Sequence, residues 1–151
     1  MYIEFTKKLN LKKQSLIEDV IRFCAAQLLT EKDWTGLEIE VNVTKSTADG
    51  FCEYVDTNVN PKSFIIEIHN KLSGTELIKT VMHEMVHVKQ YVKGELKERY
   101  KPNHHHVWHK ELIIVNSKNF NDVPWEVEAR AFEEKLFNEY RYMNDDSNDN
   151  R

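Results

Sequence analysis

Two cysteines in 151 residues, Cys24 and Cys52, are too few and too far apart for a disulfide scaffold or a cysteine zinc ribbon. Cys24 falls among apolar positions at helical spacing and reads as a buried thiol. No stretch approaches the roughly 18 apolar residues of a membrane span. Met1 to Lys8 also lacks the apolar run of a secretion signal. The chain is therefore expected to be soluble and cytoplasmic, and the sequon Asn42-Val43-Thr44 reads as chance. Basic residues are not in excess. The net charge of −4 argues against a dedicated nucleic-acid surface. Internal repeats are absent, and the 30% of charged residues are mixed rather than blocked. With 40% hydrophobic residues, residues 1–143 suit one domain with a real core. The polar, acidic end, 144–151, reads as a disordered tail.

What is present alternates helical and strand patterning, so the fold class is α+β. Leu16, Ile17, Val20, Phe23, Cys24 and Leu28 recur at helical spacing and predict an amphipathic helix from about 11 to 30. Leu37 to Val43 alternates strictly, apolar on odd positions, which predicts a half-buried strand. Thr47-Ala48-Asp49-Gly50 is turn chemistry, and Phe51 to Val55 reads as the strand returning antiparallel to it. Ser63 to His69 is a third strand, with Phe64, Ile66 and Ile68 on one face. A small, mostly antiparallel sheet follows from this reading. If 63–69 lies at the sheet edge, its free backbone groups suit an extended peptide. Leu112 to Val115 reads as a further strand and 116–122 as a polar loop. A last helix opens at Pro124, with Trp125, Ala129, Phe132, Leu136 and Tyr140 along one side.

Between the third strand and this last helix lies His83-Glu84-Met85-Val86-His87, an HExxH motif. On a helix the two histidines stand at i and i+4, a spacing that suits two nitrogen ligands of a tetrahedral zinc. Glu84 lies further round, able to lean toward a water on the open position of the metal. The helical context is full. Ser73-Gly74-Thr75-Glu76 reads as a capping box with Leu72 and Leu77 as its staple. Leu77, Ile78, Val81, Met85, Val88 and Val92 then recur at helical spacing, and Gly94 marks the stop. The pattern predicts a helix over 74–93, roughly 30 Å long. A surface helix with two solvated histidines is the plainer alternative, and that context argues against it.

A catalytic zinc needs a third protein ligand. The residues offer two sources: Glu126 in the first turn of the last helix, or a histidine from the run 104–109, His-His-His-Val-Trp-His. Glu126 also suits the helix dipole without any metal, and the histidine run suits a solvated loop.

HExxH followed by Glu126-Val127-Glu128-Ala129-Arg130-Ala131-Phe132 resembles the glutamate-ligand branch of the zincin-like metallopeptidases, including the ImmA/IrrE-type peptidases. There the ligand glutamate stands three residues before an alanine on a downstream helix. The resemblance implies Glu126, by way of Ala129, with Glu128 as the fallback. Over residues 72–135 the chain also looks like the small metallopeptidases of phage and bacterial genomes, which share Pro-Trp-Glu-x-Glu-Ala paired with HExxH. A second likeness competes. His105-His106-Val107-Trp108 is similar to the SprT-like metallopeptidases, where a histidine followed by glycine and an aromatic residue supplies the third ligand. Here His106 stands at the glycine position, and the zinc ribbon of many such proteins is lacking.

The resemblance implies a minimal zincin-like metallopeptidase with Zn2+ held by His83, His87 and Glu126 (or by His105 or Glu128 in its third position), Glu84 as general base, and a peptide or protein substrate. Many glutamate-ligand enzymes place an aspartate four residues after the ligand to hold a zinc histidine. Here Arg130 stands there, which has no acceptor to offer, so some other carboxylate, Asp56 or Asp122 for instance, is expected to hold the imidazole, or the site is less rigid. Tyr100, His105, His109 and Arg130 are candidates to stabilise the oxyanion. The alternatives are a SprT-like, DNA-associated protease, whose nucleic-acid surface would fall on Lys89, Lys93, Lys97, Arg99 and Lys101, and a non-catalytic binding module stabilised by zinc. Glu95 and Glu98 interrupt that basic set. Neither a nucleic-acid nor a membrane partner is expected, and a monomer is the default.

Overall fold

A computed structural model describes residues 1–98 and 105–149, with side chains through residue 145. Its order is β1 (Tyr2–Phe5), α1 (Leu11–Leu28), α2 (Glu31–Trp34), β2 (Glu38–Thr44), β3 (Gly50–Tyr54), β4 (Ser63–His69), α3 (Gly74–Val92), β5 (Leu96–Glu98), β6 (His105–Trp108), β7 (Glu111–Ile114) and α4 (Pro124–Asp149). The architecture is α+β, with four helices and two small sheets among the described residues. None of those helices is long and apolar enough to cross a membrane.

The main sheet runs β1-β2-β4-β3, and its pairing departs from the antiparallel expectation. β1 lies parallel to β2, and β2 lies parallel to β4. Only β3 is antiparallel, and it pairs with β4 rather than with β2. The parallel pairs need crossovers, and α1 supplies the first of them between β1 and β2. The strand that follows β2 in sequence lands on the far side of β4. β4 is thus an interior strand and offers no free edge; β3 ends the sheet. Alternation does hold along the strands. Ile39, Val41 and Val43 of β2 and Phe64, Ile66 and Ile68 of β4 are buried on one face. That face and helices α1 and α3 share a core with Ile17, Val20, Ile21, Val81 and Met85.

α3 runs through this core, packed against α1, α4 and β3. Its N-terminus is closed by burial more than by hydrogen bonds. Leu72 and Leu77 are buried, but Ser73 at the N-cap makes no side-chain cap bond, so the capping box does not form. Its C-terminus closes as a full Schellman motif: Gly94 N–H donates to Tyr91 C=O (3.0 Å) and Glu95 N–H to Gln90 C=O (2.9 Å). Gly94 adopts φ +69°, the left-handed conformation such a stop requires.

The second sheet, β5-β6-β7, is a small antiparallel meander. His109 and Lys110 turn the chain between β6 and β7 with φ +44° and +71°, as a two-residue primed hairpin loop demands. Half of the histidine run therefore forms a strand. α4 buries Trp125, Ala129, Leu136 and Phe137 and continues to Asp149, through most of the stretch expected to be a disordered tail. A helix nucleated by a packed face extends cheaply into polar residues.

Gly94→Ala should destabilise the fold by about 1–2 kcal/mol, the cost of a left-handed non-glycine residue. Urea unfolding measures this, and an unchanged midpoint would show that the Schellman stop carries no weight.

Candidate metal centre

His83 and His87 project from one face of α3, and α4 brings Glu126 across to them. The Glu126 carboxylate spans the pair: Oε2 lies 3.1 Å from His83 Nε2 and Oε1 lies 3.1 Å from His87 Nε2. One ligand atom from each residue lies within 4.8 Å of the others. Ligand atoms about 2.1 Å from a tetrahedral zinc stand about 3.4 Å apart, so the three groups fit around a single cation without rearrangement of the backbone. The imidazole rings meet edge to face with centroids 5.0 Å apart.

Each imidazole is fixed from behind. His83 Nδ1 lies 3.1 Å from Glu133 Oε2, and His87 Nδ1 lies 2.8 Å from Gln90 Oε1. Gln90 is fully buried, and its amide nitrogen donates to Trp125 C=O (3.0 Å) and to Glu128 Oε1 (3.2 Å). Its oxygen must then face His87, which places the proton on Nδ1 and leaves Nε2 free to bind a metal. Glu133 does the same for His83. These outer contacts are what a metal-binding histidine ordinarily requires.

Electrostatics follow from the crowding. Burial disfavours a charged His83, but Glu126 and Glu133 outweigh it and raise its pKa to about 10. His87 is raised in the same way against its burial, chiefly by Glu126 and Glu84. Burial would lift Glu126, yet the two imidazoles hold its carboxyl well below the usual range. Without a metal the surroundings thus favour the charged form of both imidazoles.

Glu84 is 5% exposed and lodges between α3 and β3. Burial lifts its pKa to about 7; the histidines pull it down and the neighbouring carboxylates push it up. Gly50, the first residue of β3, makes room for it. A Cβ there would stand 2.6 Å from Glu84 Oε1 and 2.7 Å from Thr80 Cγ2. Glu84, His83, His87 and Glu126 line one cavity of about 280 Å³, walled by Gly50, Cys52, Tyr91, Trp125 and His106.

The other sequence candidates lie elsewhere. Glu128, the fallback ligand, accepts from Lys89 Nζ (2.9 Å) and from Gln90, and so braces the site from behind. His105 pairs with Ile114 in the β6–β7 ladder and does not line the cavity. His109 is in the hairpin turn, and Arg130 donates to Asn121 C=O at the surface. Asp56 accepts from the backbone of Lys62 and Ser63, and Asp122 is exposed; neither supports an imidazole. Tyr100 and His104 lie outside the described residues. Gln90 and Glu133 are not singled out by the sequence reading, and Gly50 and His106 enter it only as a turn residue and as a member of the histidine run. Glu133 had one signal, since it follows Glu126 by seven residues and so shares its helix face. Comparison of the chain with family models, with curated proteins and with solved structures finds no match.

Two outcomes follow. Without metal, the charged imidazoles contribute stability that is fully present below the ordinary histidine value of 6.5 and lost as pH rises toward the His83 pKa of about 10. The Glu126 contribution is present above its ordinary 4.5 and lost as pH falls through its depressed value. Urea unfolding in chelator should therefore find greater stability at pH 6 than at pH 9, and the reverse order would contradict this geometry. Gly50→Ala should cost about 1–3 kcal/mol through overpacking against Glu84; a variant as stable as wild type would mean that Glu84 is not lodged there.

Proposed function

We propose that the chain is a zincin-like metallopeptidase that hydrolyses peptide bonds. The observation that carries this reading is the convergence of His83, His87 and Glu126 with a buried Glu84 that none of them needs for holding a metal. A site built only to bind a structural ion is ordinarily closed by a fourth protein ligand; among the described residues only three ligand groups come together, and all three line the cavity. Two imidazoles and a carboxylate serve catalytic zinc and non-haem iron alike; the glutamate that follows the first histidine in HExxH, placed as a general base, favours zinc. Zinc held by these residues would supply a Lewis acid that lowers the pKa of a water toward about 7.

The chain's own residues account for the remaining chemistry. Glu84, with its pKa near 7, is matched to accept a proton from water and return it to the departing amine. Gln90 and Glu133 hold both histidines in the tautomer that binds metal. The oxyanion of the tetrahedral intermediate needs a donor. His106 is our candidate for this role: it lines the cavity, with its ring packed against Trp125 and its Nε2 3.9 Å from Glu98 Oε1. A substrate can pair in extended form with β3, whose outer edge has no strand partner among the described residues.

The DNA-associated alternative has less to support it. Lys89 is tied to Glu95 (2.7 Å) and Glu128, and Lys93 to Asp33 (3.2 Å). Arg99 and Lys101 lie outside the described residues.

Chelator competition should show one zinc bound by the wild type and by His105→Ala, and affinity reduced at least about 100-fold in Glu126→Ala. Glu84→Gln should keep the zinc and lose about 10³-fold or more in peptide hydrolysis. Full turnover by Glu84→Gln would overturn the mechanism, and loss of zinc in His105→Ala would overturn the ligand set.

A further inference from the structure

Beside the metal cavity lies a second one, of about 260 Å³. The two share Tyr91 and Glu98 as a common wall. The far side is made by Tyr54 at the end of β3, Leu96 of β5, and Val59 and Pro61 from the loop before β4, with Thr57, Asn58 and Lys97 as its polar part. Tyr54 and Tyr91 pack edge to face with centroids 5.1 Å apart. The Tyr91 hydroxyl is committed to Glu98, so this residue meets a ligand as an apolar ring. Leu96 and Pro61 are buried, whereas Val59 stands at the rim with 84% of its surface exposed.

Resting on the metallopeptidase reading, we propose that this cavity is a specificity pocket. It takes an aromatic or large aliphatic side chain of the substrate, two residues from the bond that is cut. The spacing comes from two elements that agree. Tyr91 is one helical turn beyond His87, roughly 5–6 Å. Tyr54 is two residues beyond Cys52 on the edge strand, roughly 6–7 Å. A peptide paired with β3 advances by the same repeat, and side chains two apart point the same way. A peptide laid over the metal cavity thus presents one side chain at Tyr54 and Tyr91. The volume lies below the roughly 300–1,000 Å³ of pockets for drug-sized ligands, which suits a single side chain. An exposed valine at the rim, otherwise a cost in water, is then covered when substrate binds.

The test uses the zinc-loaded protein and a peptide library prepared from a digested proteome, with cleavage products read by mass spectrometry. The wild type should cut bonds that have Phe, Tyr, Trp, Leu or Met two residues away on one side. In Val59→Asp and Tyr54→Ala that preference over alanine should fall by roughly 10–200-fold, with zinc still bound. Cleavage with no apolar preference at that distance, or an unchanged preference in both variants, would overturn the pocket. Absence of any cleavage would count against the peptidase reading alone, and the pocket is then read without turnover. Zinc-loaded Glu84→Gln is titrated with N-acetyl-phenylalanine amide and N-acetyl-alanine amide while methyl resonances are followed by NMR. The phenylalanine compound should shift Val59 and Leu96 and the alanine compound should not. Equal responses, or none, would sink the proposal.

Discussion

The antiparallel-like seam between α3 and α4 is the constraint on which the site depends. α3 carries both histidines and, through Gln90, the brace of one of them. α4 carries Glu126 in its first turn and Glu133 seven residues on, so one helix face supplies the carboxylate between the imidazoles and the brace of the other histidine. Buried Val81, Met85, Val88, Ala129 and Leu136 belong to the core that surrounds this polar seam. Ala129, one turn after Glu126, is fully buried in that core, where a larger side chain would overpack it.

A second dependence is electrostatic. Packing carboxylates and imidazoles into one half-buried region is costly unless each has a partner, because an unsatisfied buried polar group costs about 1–3 kcal/mol. Most of the network meets that condition; Glu95 Oε1 is buried without a hydrogen bond and has Lys89 Nζ beside it at 2.7 Å as an ion pair. His87 gives its proton to Gln90, Gln90 reaches Trp125 C=O and Glu128, and Glu128 is neutralised by Lys89, which also holds Glu95. Glu84 stands apart from this network. It is buried with only the histidines to offset its charge, and its pKa stands near 7 as a result. A group held in that condition is costly to the fold and suited to exchanging a proton.

The local signals in the sequence were read well where structure is local. α1, β4 and α3 have nearly the limits that periodicity predicted, and Gly94 is the αL stop of α3. HExxH and the glutamate before Ala129 on the final helix named three side chains that the fold brings together in a group that could hold a metal. Pairing was not legible in this way. Alternation in 37–43 and 63–69 specifies a buried face, but not which strand lies alongside, and β1 is only four residues long. Glu133 sits in the run Glu133-Glu134-Lys135, which reads as solvated until α4 is seen against α3. Gly50 read as a turn residue, though its contribution is the space it leaves for Glu84. His106 read as a departure from a motif, and the β6 ladder turns it into the cavity while His105 stays out of it.

X-ray absorption at the zinc edge of the zinc-loaded protein tests the centre most directly, because it reads the ligands themselves. The account predicts light-atom ligands at about 2.0–2.2 Å with the multiple scattering of two imidazoles and the remaining positions filled by oxygen. A third imidazole, or a sulfur ligand at about 2.3 Å, would contradict it.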